Sequence, residues 1–209
     1  MGKTTLAKIV ATQLERPFFT LSAVTSGVKD VREVIESAKK QRFFDAKPPL
    51  LFIDEIHRFN KSQQDSLLGA VEQGTVTLIG ATTRSGLLTS PLRARFGIQC
   101  HLEYYDAPVL AGIVRRSARI LDVSIDDDAA HEVALRSRGT PRIANALLRR
   151  VRDFAMVKGG GRIDLEITRY ALNALNIDSR GLDRMDNKIL RTIIDKFGGG
   201  PVGLGTIAT

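Results

Sequence analysis

The sequence predicts an α/β protein in which a parallel sheet is flanked by helices, followed by a smaller all-helical domain. Strand and helix patterns alternate through the first hundred residues, which is typical of a sheet built from βαβ units. The apolar run at residues 50–53 is continuous rather than alternating, and this indicates a strand buried on both faces. After Tyr105 the strand patterns fade, and capped amphipathic helices follow one another.

Each helix of the first hundred residues is predicted by apolar residues spaced three or four apart, and each strand by a short apolar run bounded by Pro or Gly. On the second helix, Val31, Ile35 and Ala38 share one face. Pro48 and Pro49 end that helix before the continuous strand. The predicted elements are, in order, a helix over 4–14, a strand over 17–21, a helix from 28, a strand over 50–53, a helix over 62–73 and a strand over 75–80.

The helices of the second half begin at capping residues. Asp106 with Pro108 predicts the first of them, and the three aspartates at 126–128 predict a capped second helix. Thr140 and Pro141 are a cap and first-turn pair for the third. The remaining elements are a glycine break at 159–161, a helix over 164–175, a linker over 177–182 and a helix over 183–197. We therefore predict domains over 1–105, 106–176 and 177–209.

Composition restricts the class of partner and the compartment. The formal net charge of +8 permits a polyanionic partner such as DNA, although charge alone favours a well-solvated surface with surplus arginine. The longest apolar run is far too short to span a bilayer and no secretion signal precedes it, so we expect a cytoplasmic protein without a membrane partner. The single cysteine, Cys100, fits a reducing compartment, and its alternating context predicts a small packed hydrophobe.

The opening "GKTT" matches the end of a phosphate-binding loop. In that interpretation Gly2 lets backbone N–H groups approach phosphate, Lys3 reaches the β- and γ-phosphates, and Thr4 ligates Mg²⁺. The following helix directs its positive end at the same anion. The alternative is an exposed amino-terminal helix that happens to carry a lysine.

The segment "LLFIDEIH" places two acids at the end of a buried strand. Asp54 and Glu55 lie at the carboxyl edge of the predicted sheet, where ligands bind in open α/β folds. Asp54 is a candidate ligand of Mg²⁺, and Glu55 is a candidate general base for an attacking water. His57 has no second histidine or cysteine at ligand spacing, so we predict a packing or hydrogen-bonding role for it.

Arginines in two later segments are further candidates. Arg93 and Arg95 follow the last core strand, where a positive charge could face a neighbouring subunit's phosphate. Arg142 stands in the first turn of a helix, where the helix dipole does not favour a cation. A surface salt bridge is the alternative for each of the three.

Five segments, "GKTT", "LLFIDEIH", "LIGATT", "SPLRARFG" and "GTPRIAN", occur in that order and together resemble the AAA+ ATPases. The resemblance implies an AAA+ core that lacks its first strand, then a helical lid and the start of a winged-helix DNA-binding domain. It implies ATP and Mg²⁺ as ligands and a ring, hexameric in the motors, in which an arginine finger reaches the neighbour's γ-phosphate. The implied roles are the phosphate-loop ending for Gly2, Lys3, Thr4 and Thr5, the metal-and-water pair for Asp54 and Glu55, the polar sensor for Thr82 with Thr83 adjacent, the finger for Arg95, and lid contacts to nucleotide for Tyr105 and Arg142, the second sensor.

Within the AAA+ proteins the resemblance divides. From Arg84 onward the sequence is similar to the RuvB family of Holliday-junction motors, whereas residues 17–83 resemble the RarA family, recombination ATPases of the replication fork. The two parts meet at "TLIGATT", which both families share, so a crossover, a designed fusion or a sequence-assembly join would each produce such a chimera. The first strand and most of the phosphate loop are expected to be missing before Gly2.

The resemblance also bears on partners and leaves three functions open. The segment "VEQGTVTLIGATT" joins helix to strand directly and lacks the hairpin by which RuvB grips its partner RuvA, which argues against a RuvA-like partner. The first function is RuvB-like branch migration of Holliday junctions, driven by ATP hydrolysis. The alternatives are a RarA-like, clamp-loader-type ATPase at stalled forks and a non-catalytic fragment that at most binds DNA or other subunits.

Overall fold

A computed structural model describes residues 2–44, 47–158 and 160–208, with side chains described outside residues 41–44. The chain divides into two compact units, Gly2–His101 and Leu102–Thr209. We call the first the core unit and the second the lid unit. No helix in the described ranges is both long and apolar enough to cross a membrane.

The core unit is built on a parallel three-stranded sheet in the order β1-β2-β3. The strands are β1 (Phe18–Ser22), β2 (Leu50–Asp54) and β3 (Thr77–Gly80). Leu50 to Ile53 are each at most 2% exposed, which confirms the central, doubly covered strand that the continuous apolar run predicts. Alternate residues of β2 serve opposite faces, because successive side chains in a strand point to opposite sides of the sheet.

One face of the sheet is covered by α2 (Val28–Phe44) and α3 (Lys61–Glu72). Leu51 and Ile53 belong to the core cluster on this side, together with Val31, Ile35 and Leu67. The predicted apolar face of α2 is therefore the face that packs. Asn60 caps α3 through a reciprocal capping box with Gln63, which satisfies two otherwise unpaired backbone N–H groups.

The opposite face is covered by α1 (Lys3–Gln13), which runs antiparallel to the strands. Ala7 forms a buried cluster with Phe52 and with Ala81, the residue that follows β3. Beyond the other end of α1, the Arg16 Nη1 donates to Thr77 Oγ1 at the start of β3, at 3.0 Å. The amino end of α1 therefore points toward the carboxyl edge of the sheet.

The core unit continues through two short 3₁₀ turns, Ile56–Arg58 and Ser85–Leu87, to α4 (Ser90–Ala94). Cys100 follows in irregular chain and is exposed, so the prediction of a packed cysteine is wrong. The alternation of residues 98–104 is that of a strand, but within the described residues this segment has no neighbouring strand to pair with. An alternating pattern alone cannot bury a side chain.

The lid unit is a helical layer around one apolar cluster that includes Leu110, Val114, Val133, Leu148 and Leu172. Asp106 caps the first helix and Asp164 the fourth, each by accepting from a backbone N–H three residues on. The first four helices are α5 (Ala107–Ile120), α6 (Asp127–Leu135), α7 (Pro141–Lys158) and α8 (Leu165–Ala174). Gly159, part of the predicted break after α7, lies outside the described residues.

Two details of the lid differ from the sequence-based prediction. The unit holds a short parallel pairing of β4 (Ser124–Ile125) with β5 (Arg162–Ile163), so it is not purely helical. Asp126 precedes α6 but its side chain makes no cap. Its carboxylate instead accepts from the Arg162 guanidinium at 2.8 Å and 3.0 Å, across the two strands, and this bond raises the pKa of Arg162. Two-residue strands leave no periodic signal from which to predict them.

The predicted linker after α8 is an ordered turn. The Asp178 carboxylate accepts from the backbone N–H groups of Arg180 and Leu182 and from the Asn187 side chain. The turn leads to α9 (Arg184–Phe197), which Asp183 caps, and then to α10 (Leu204–Ile207). No residue of α9 is buried.

Candidate functional site

The acidic pair lies at the carboxyl edge of the sheet, as its position after β2 predicts. Asp54 is the last residue of β2 and is partly buried, and one of its carboxylate oxygens accepts from the Glu55 N–H at 3.1 Å. Glu55 has a left-handed backbone, with φ 53° and ψ 39°. That conformation costs a non-glycine residue on the order of 1 kcal/mol. The chain therefore turns sharply where the two carboxylates are presented.

The amino end of α1 points at this same edge. Gly2 precedes the helix with φ 96°, a conformation that glycine adopts without a steric penalty, and Lys3 is its partly buried first residue. Lys3 lies one helical turn, about 6 Å, before Ala7, which packs beside Phe52 and Ala81. Thr4 and Thr5 are exposed in the same first turn. Unpaired backbone N–H groups and a lysine thus face the edge that carries Asp54 and Glu55, a suitable arrangement for an anion.

The donor set fits a hydrated divalent cation better than a fully protein-bound one. The described residues hold no group of three or more His, Cys, Asp or Glu side chains at metal-ligating distance. Mg²⁺ is usually held by one or two carboxylates together with water and phosphate oxygens. Asp54 uses one oxygen within the protein and keeps the other, so it and the Thr4 hydroxyl are suitable partners for magnesium that arrives with a nucleotide.

His57 connects the residues after β2 with those after β3. Its side chain is only 7% exposed, its Nδ1 lies 2.9 Å from Thr82 Oγ1, and its Nε2 lies 3.5 Å from Glu55 Oε2. Thr82 Oγ1 also accepts from the Arg84 backbone N–H at 2.9 Å. These contacts bear out the hydrogen-bonding role predicted for His57, but the sequence does not indicate its partners, which are 2 and 25 residues away.

The two threonines after β3 have different surroundings. The Thr82 hydroxyl is occupied by His57 and Arg84, and the residue is partly buried. Thr83 is exposed, and its hydroxyl lies 3.5 Å from Glu55 Oε2. The family resemblance implies the sensor role for Thr82. Thr83 is the one of the pair whose hydroxyl is accessible beside the carboxylate.

Of the predicted arginines in the core unit, Arg95 has a clear partner. It ends α4, is exposed, and forms an ion pair with Glu72 at the end of α3. Arg93 is also exposed. The sequence does not indicate a role for Glu72, because glutamates near helix ends are common. Its significance comes only from the fold, which brings the ends of α3 and α4 together.

In the lid unit the structure brings the region of Tyr105 beside that of Arg142. The Tyr105 N–H donates to the Gly139 carbonyl at 3.0 Å, three residues before Arg142, and both predicted side chains are exposed. Gly139 has φ 67°, and a Cβ there would lie 2.6 Å from Tyr104 Cβ. Only glycine therefore allows Tyr104 and Tyr105 to pack this closely against residue 139. In the sequence, the glycine directly before the Thr140-Pro141 helix start indicates a turn at this position.

Comparison with known families follows the division of the chain. The description "ATPase family associated with various cellular activities (AAA)" matches residues 1–104, and "RuvB AAA lid domain" matches residues 105–178. The chain belongs to the AAA ATPase family. Within that family it belongs with the RuvB proteins, to which it is similar over its whole length.

Relatives named "Holliday junction branch migration complex subunit RuvB" support this placement. The protein from Parabacteroides distasonis is 54% identical and that from Flavobacterium johnsoniae 52% identical, each over all of this chain. The chain spans 65% and 66% of their lengths. The aligned span of 230 residues exceeds the 209 of this chain, so the relatives carry residues inside the match that this chain lacks.

Solved structures give the same result. The "Thermotoga maritima RuvB Holliday junction branch migration motor" superposes with a TM-score of 0.87 at 45% identity, covering all of this chain and 70% of that one. The similarity includes residues 17–83, the segment for which the sequence motifs predict a RarA-like origin. The connection from α3 to β3 is only four residues long, Gln73 to Val76, in agreement with the predicted direct joint.

Proposed function

We propose that the chain is part of an ATP-hydrolysing motor of recombination and repair that moves branched DNA as its RuvB relatives do, and that it acts in the cytoplasm. One observation supports the proposal: Ala7 of α1 packs against Phe52 and Ala81, which directs the amino end of that helix toward the sheet edge that carries Asp54 and Glu55. An anion-binding helix end beside a carboxylate pair is the arrangement that nucleoside triphosphate hydrolysis requires.

In this proposal each residue has a separate task. Gly2, Lys3 and the free N–H groups of α1 hold the β- and γ-phosphates, with Thr4 and Thr5 beside them. Asp54 and Thr4 hold the magnesium that accompanies the nucleotide, and magnesium neutralises charge on the phosphates. Glu55 orients and deprotonates the attacking water, and Thr83, with its accessible hydroxyl, is the better placed sensor.

The remaining candidate residues act on the nucleotide from the lid unit and from a second copy of the chain. Tyr105 and Arg142 contact the nucleotide from the lid unit. Arg95 acts on a neighbouring subunit, so activity requires self-association into a ring, which we propose to be hexameric as in the RuvB family. The net charge of +8 favours DNA as the polyanionic partner. The four-residue α3–β3 connection supports action without a RuvA-like partner.

The test is ATP hydrolysis by this chain with and without synthetic four-way junction DNA. We expect DNA-stimulated hydrolysis that Glu55→Gln and Lys3→Ala each abolish, while the control Lys8→Ala, an exposed lysine of the same helix, leaves it unchanged. Junction-stimulated ATPase that is insensitive to both site variants would exclude the proposal. Absence of any ATP binding would favour the non-catalytic alternative.

A second candidate function, a clamp-loader-type ATPase that remodels stalled forks, is favoured by the same short α3–β3 connection. Fork-shaped and four-way substrates, each with and without added RuvA, distinguish the two. We expect branch migration of the four-way substrate without RuvA dependence. Processing of forks alone would establish the second candidate instead.

A further inference from the structure

We infer that His57 is a positioning residue for hydrolysis, which with Thr82 holds the Glu55 carboxylate in the direction the reaction needs. The inference rests on the proposed function for the role of Glu55, but its geometry rests on contacts alone. His57 links the turns after β2 and β3, and its side chain is among the most enclosed polar groups of the candidate site, at 7% exposed.

The contacts form a chain with a defined direction. A carboxylate can only accept, so a hydrogen bond from His57 Nε2 to Glu55 Oε2, which lie 3.5 Å apart, requires the ring proton on Nε2. In a neutral ring Nδ1 is then an acceptor, and the Thr82 hydroxyl must donate to it at 2.9 Å. Thr82 Oγ1 in turn accepts from the Arg84 N–H, which leaves its single hydrogen free for His57. The Arg84 N–H, the Thr82 hydroxyl, the His57 ring and the Glu55 carboxylate therefore form one chain in which every donor faces an acceptor.

Glu55 needs such support because its own backbone does not determine where its carboxylate points. It stands alone in a left-handed conformation between β2 and a 3₁₀ turn, and its side chain is 27% exposed. A flexible glutamate at such a position would sample several rotamers in water, at an entropic cost when it must act as a base. The Nε2–Oε2 distance of 3.5 Å is longer than an ordinary hydrogen bond, and contacts between catalytic groups tighten in the reacting complex.

His57 also connects the residues after β2 with those after β3, and the proposed function places both groups beside the substrate. Glu55 follows β2, whereas Thr82, Thr83 and Arg84 follow β3. Thr83 reaches the same carboxylate oxygen as His57 from the exposed side, also at 3.5 Å. The Glu55 carboxylate is thus held between a buried partner, His57, and an accessible one, Thr83. Substrate phosphate can displace the accessible partner while the buried one keeps the carboxylate in place.

The first test is nitrogen NMR of the three histidines in the full chain, which detects the position of each ring proton without nucleotide. We expect His57 to show a single slowly exchanging Nε2–H form, whereas exposed His101 and His131 show averaged signals and serve as internal controls. Thr82→Val removes the donor to Nδ1 and is expected to shift the His57 signals only. A proton on Nδ1, averaging like that of the controls, or indifference to Thr82→Val would overturn the inference.

The second test separates positioning from binding through the kinetics of ATP hydrolysis. His57→Gln keeps an N–H donor near the position of Nε2, and His57→Asn keeps a polar group near that of Nδ1. We expect both to lower kcat by roughly 10- to 100-fold, as loss of a supporting contact does elsewhere, with an unchanged KM and the smaller loss for His57→Gln. His101→Gln is the matched control.

The two tests distinguish failure of the inference from failure of the proposed function. A chain that hydrolyses no ATP contradicts the proposed function, and the NMR result still decides whether His57 is held by Thr82 and Glu55. A chain that hydrolyses ATP with unchanged kcat in both His57 variants overturns the positioning role. Circular dichroism and thermal unfolding of each variant show whether it is folded, and Thr82→Val supplies an independent variant that leaves His57 intact.

Discussion

Arg95 and Glu72 form an ion pair within one protomer, with Arg95 Nη2 2.5 Å from Glu72 Oε1. Both side chains are about half exposed, and pairs of this kind contribute about 0–1 kcal/mol to stability. The arginine can therefore exchange Glu72 for another anion at little cost. In the proposed function, the phosphate of a nucleotide bound to a neighbouring subunit is that anion.

The first prediction concerns this pair. Glu72→Gln is expected to leave the free energy of unfolding within about 1 kcal/mol of the original, since the pair is solvated. Arg95→Ala is expected to lower kcat for ATP by about 10³-fold or more, the usual effect of losing an arginine finger. Urea unfolding and steady-state ATPase check both. If Glu72→Gln lowered kcat as strongly as Arg95→Ala, the carboxylate would itself belong to the reaction.

The second prediction is complementation between subunits. Arg95→Ala protomers keep their own Glu55 but offer no finger, whereas Glu55→Gln protomers offer a finger but lack the base. If Arg95 acts on the neighbour, mixtures of the two are expected to regain part of the ATPase activity, because some interfaces combine both intact residues. Activity that never exceeds the sum of the separate variants would place Arg95 outside the neighbour's site.

The third prediction uses two glycines of the lid unit with similar backbones. Gly181 has φ 79°, and a Cβ there would lie 2.3 Å from the Arg136 carbonyl oxygen, whereas Gly160 has φ 62° and open space around it. Gly160→Ala is expected to cost about 1 kcal/mol for the left-handed backbone alone, and Gly181→Ala a further 1–3 kcal/mol for the backbone clash.

Tyrosine fluorescence during urea unfolding measures this difference in the lid unit alone. The chain has no tryptophan, and its three tyrosines, Tyr104, Tyr105 and Tyr170, all lie in that unit. Equal losses for the two alanine variants would show that the turn at Gly181 can relax away from Arg136.

The fourth prediction is a pH dependence of the turn after α8. The Leu182 backbone N–H, together with the Asn187 side chain, lowers the pKa of Asp178 below its ordinary value of 3.8. Since a lowered carboxyl pKa means that folding favours the ionised form, its stabilising contribution is complete above pH 3.8 and is lost as the pH falls toward the lowered pKa. The urea midpoint, followed by tyrosine fluorescence, is expected to differ between the original chain and Asp178→Ala above this range and to converge below it. A difference that persists in acid would mean that the charge is not its source.

The fifth prediction concerns Cys100. Because the side chain is exposed, a maleimide is expected to label the native chain at a rate within a few-fold of the urea-unfolded chain. Mass spectrometry of timed samples measures both rates, and the single cysteine makes the assignment unambiguous. Strong protection in the native chain would indicate that residues 98–104 pair with another strand in solution.

The sequence allows the fold class to be predicted because burial leaves a strong pattern. Four consecutive apolar residues predict the doubly covered β2, and aspartates at 106, 164 and 183 locate the helix starts where their carboxylates accept backbone N–H groups. Asp126 has the same local sequence character but binds Arg162, 36 residues away. The local sequence does not show whether an aspartate side chain will accept from the N–H groups of the next helix or from a distant arginine.

The candidate site likewise has residues that can be predicted from the sequence and contacts that cannot. Asp54 and Glu55 can be predicted because their position after a buried strand determines their place at the sheet edge. The links from His57 to Thr82 and from Arg95 to Glu72 depend on how separate elements meet, which spacing along the chain does not reveal. The choice between Thr82 and Thr83 likewise depends on which hydroxyl is already occupied, a property of the folded chain.

Within the described residues, β3 pairs with β2 on one side and leaves the backbone groups of its other side free. Free strand edges invite a second molecule to add to the sheet, and proteins commonly oppose this with a charged side chain at the edge. Arg16, bonded to Thr77 at the first residue of β3, supplies that charge. The guanidinium therefore places a positive charge beside the first residue of that edge strand, and edge-to-edge pairing of two copies would bring two such charges close together.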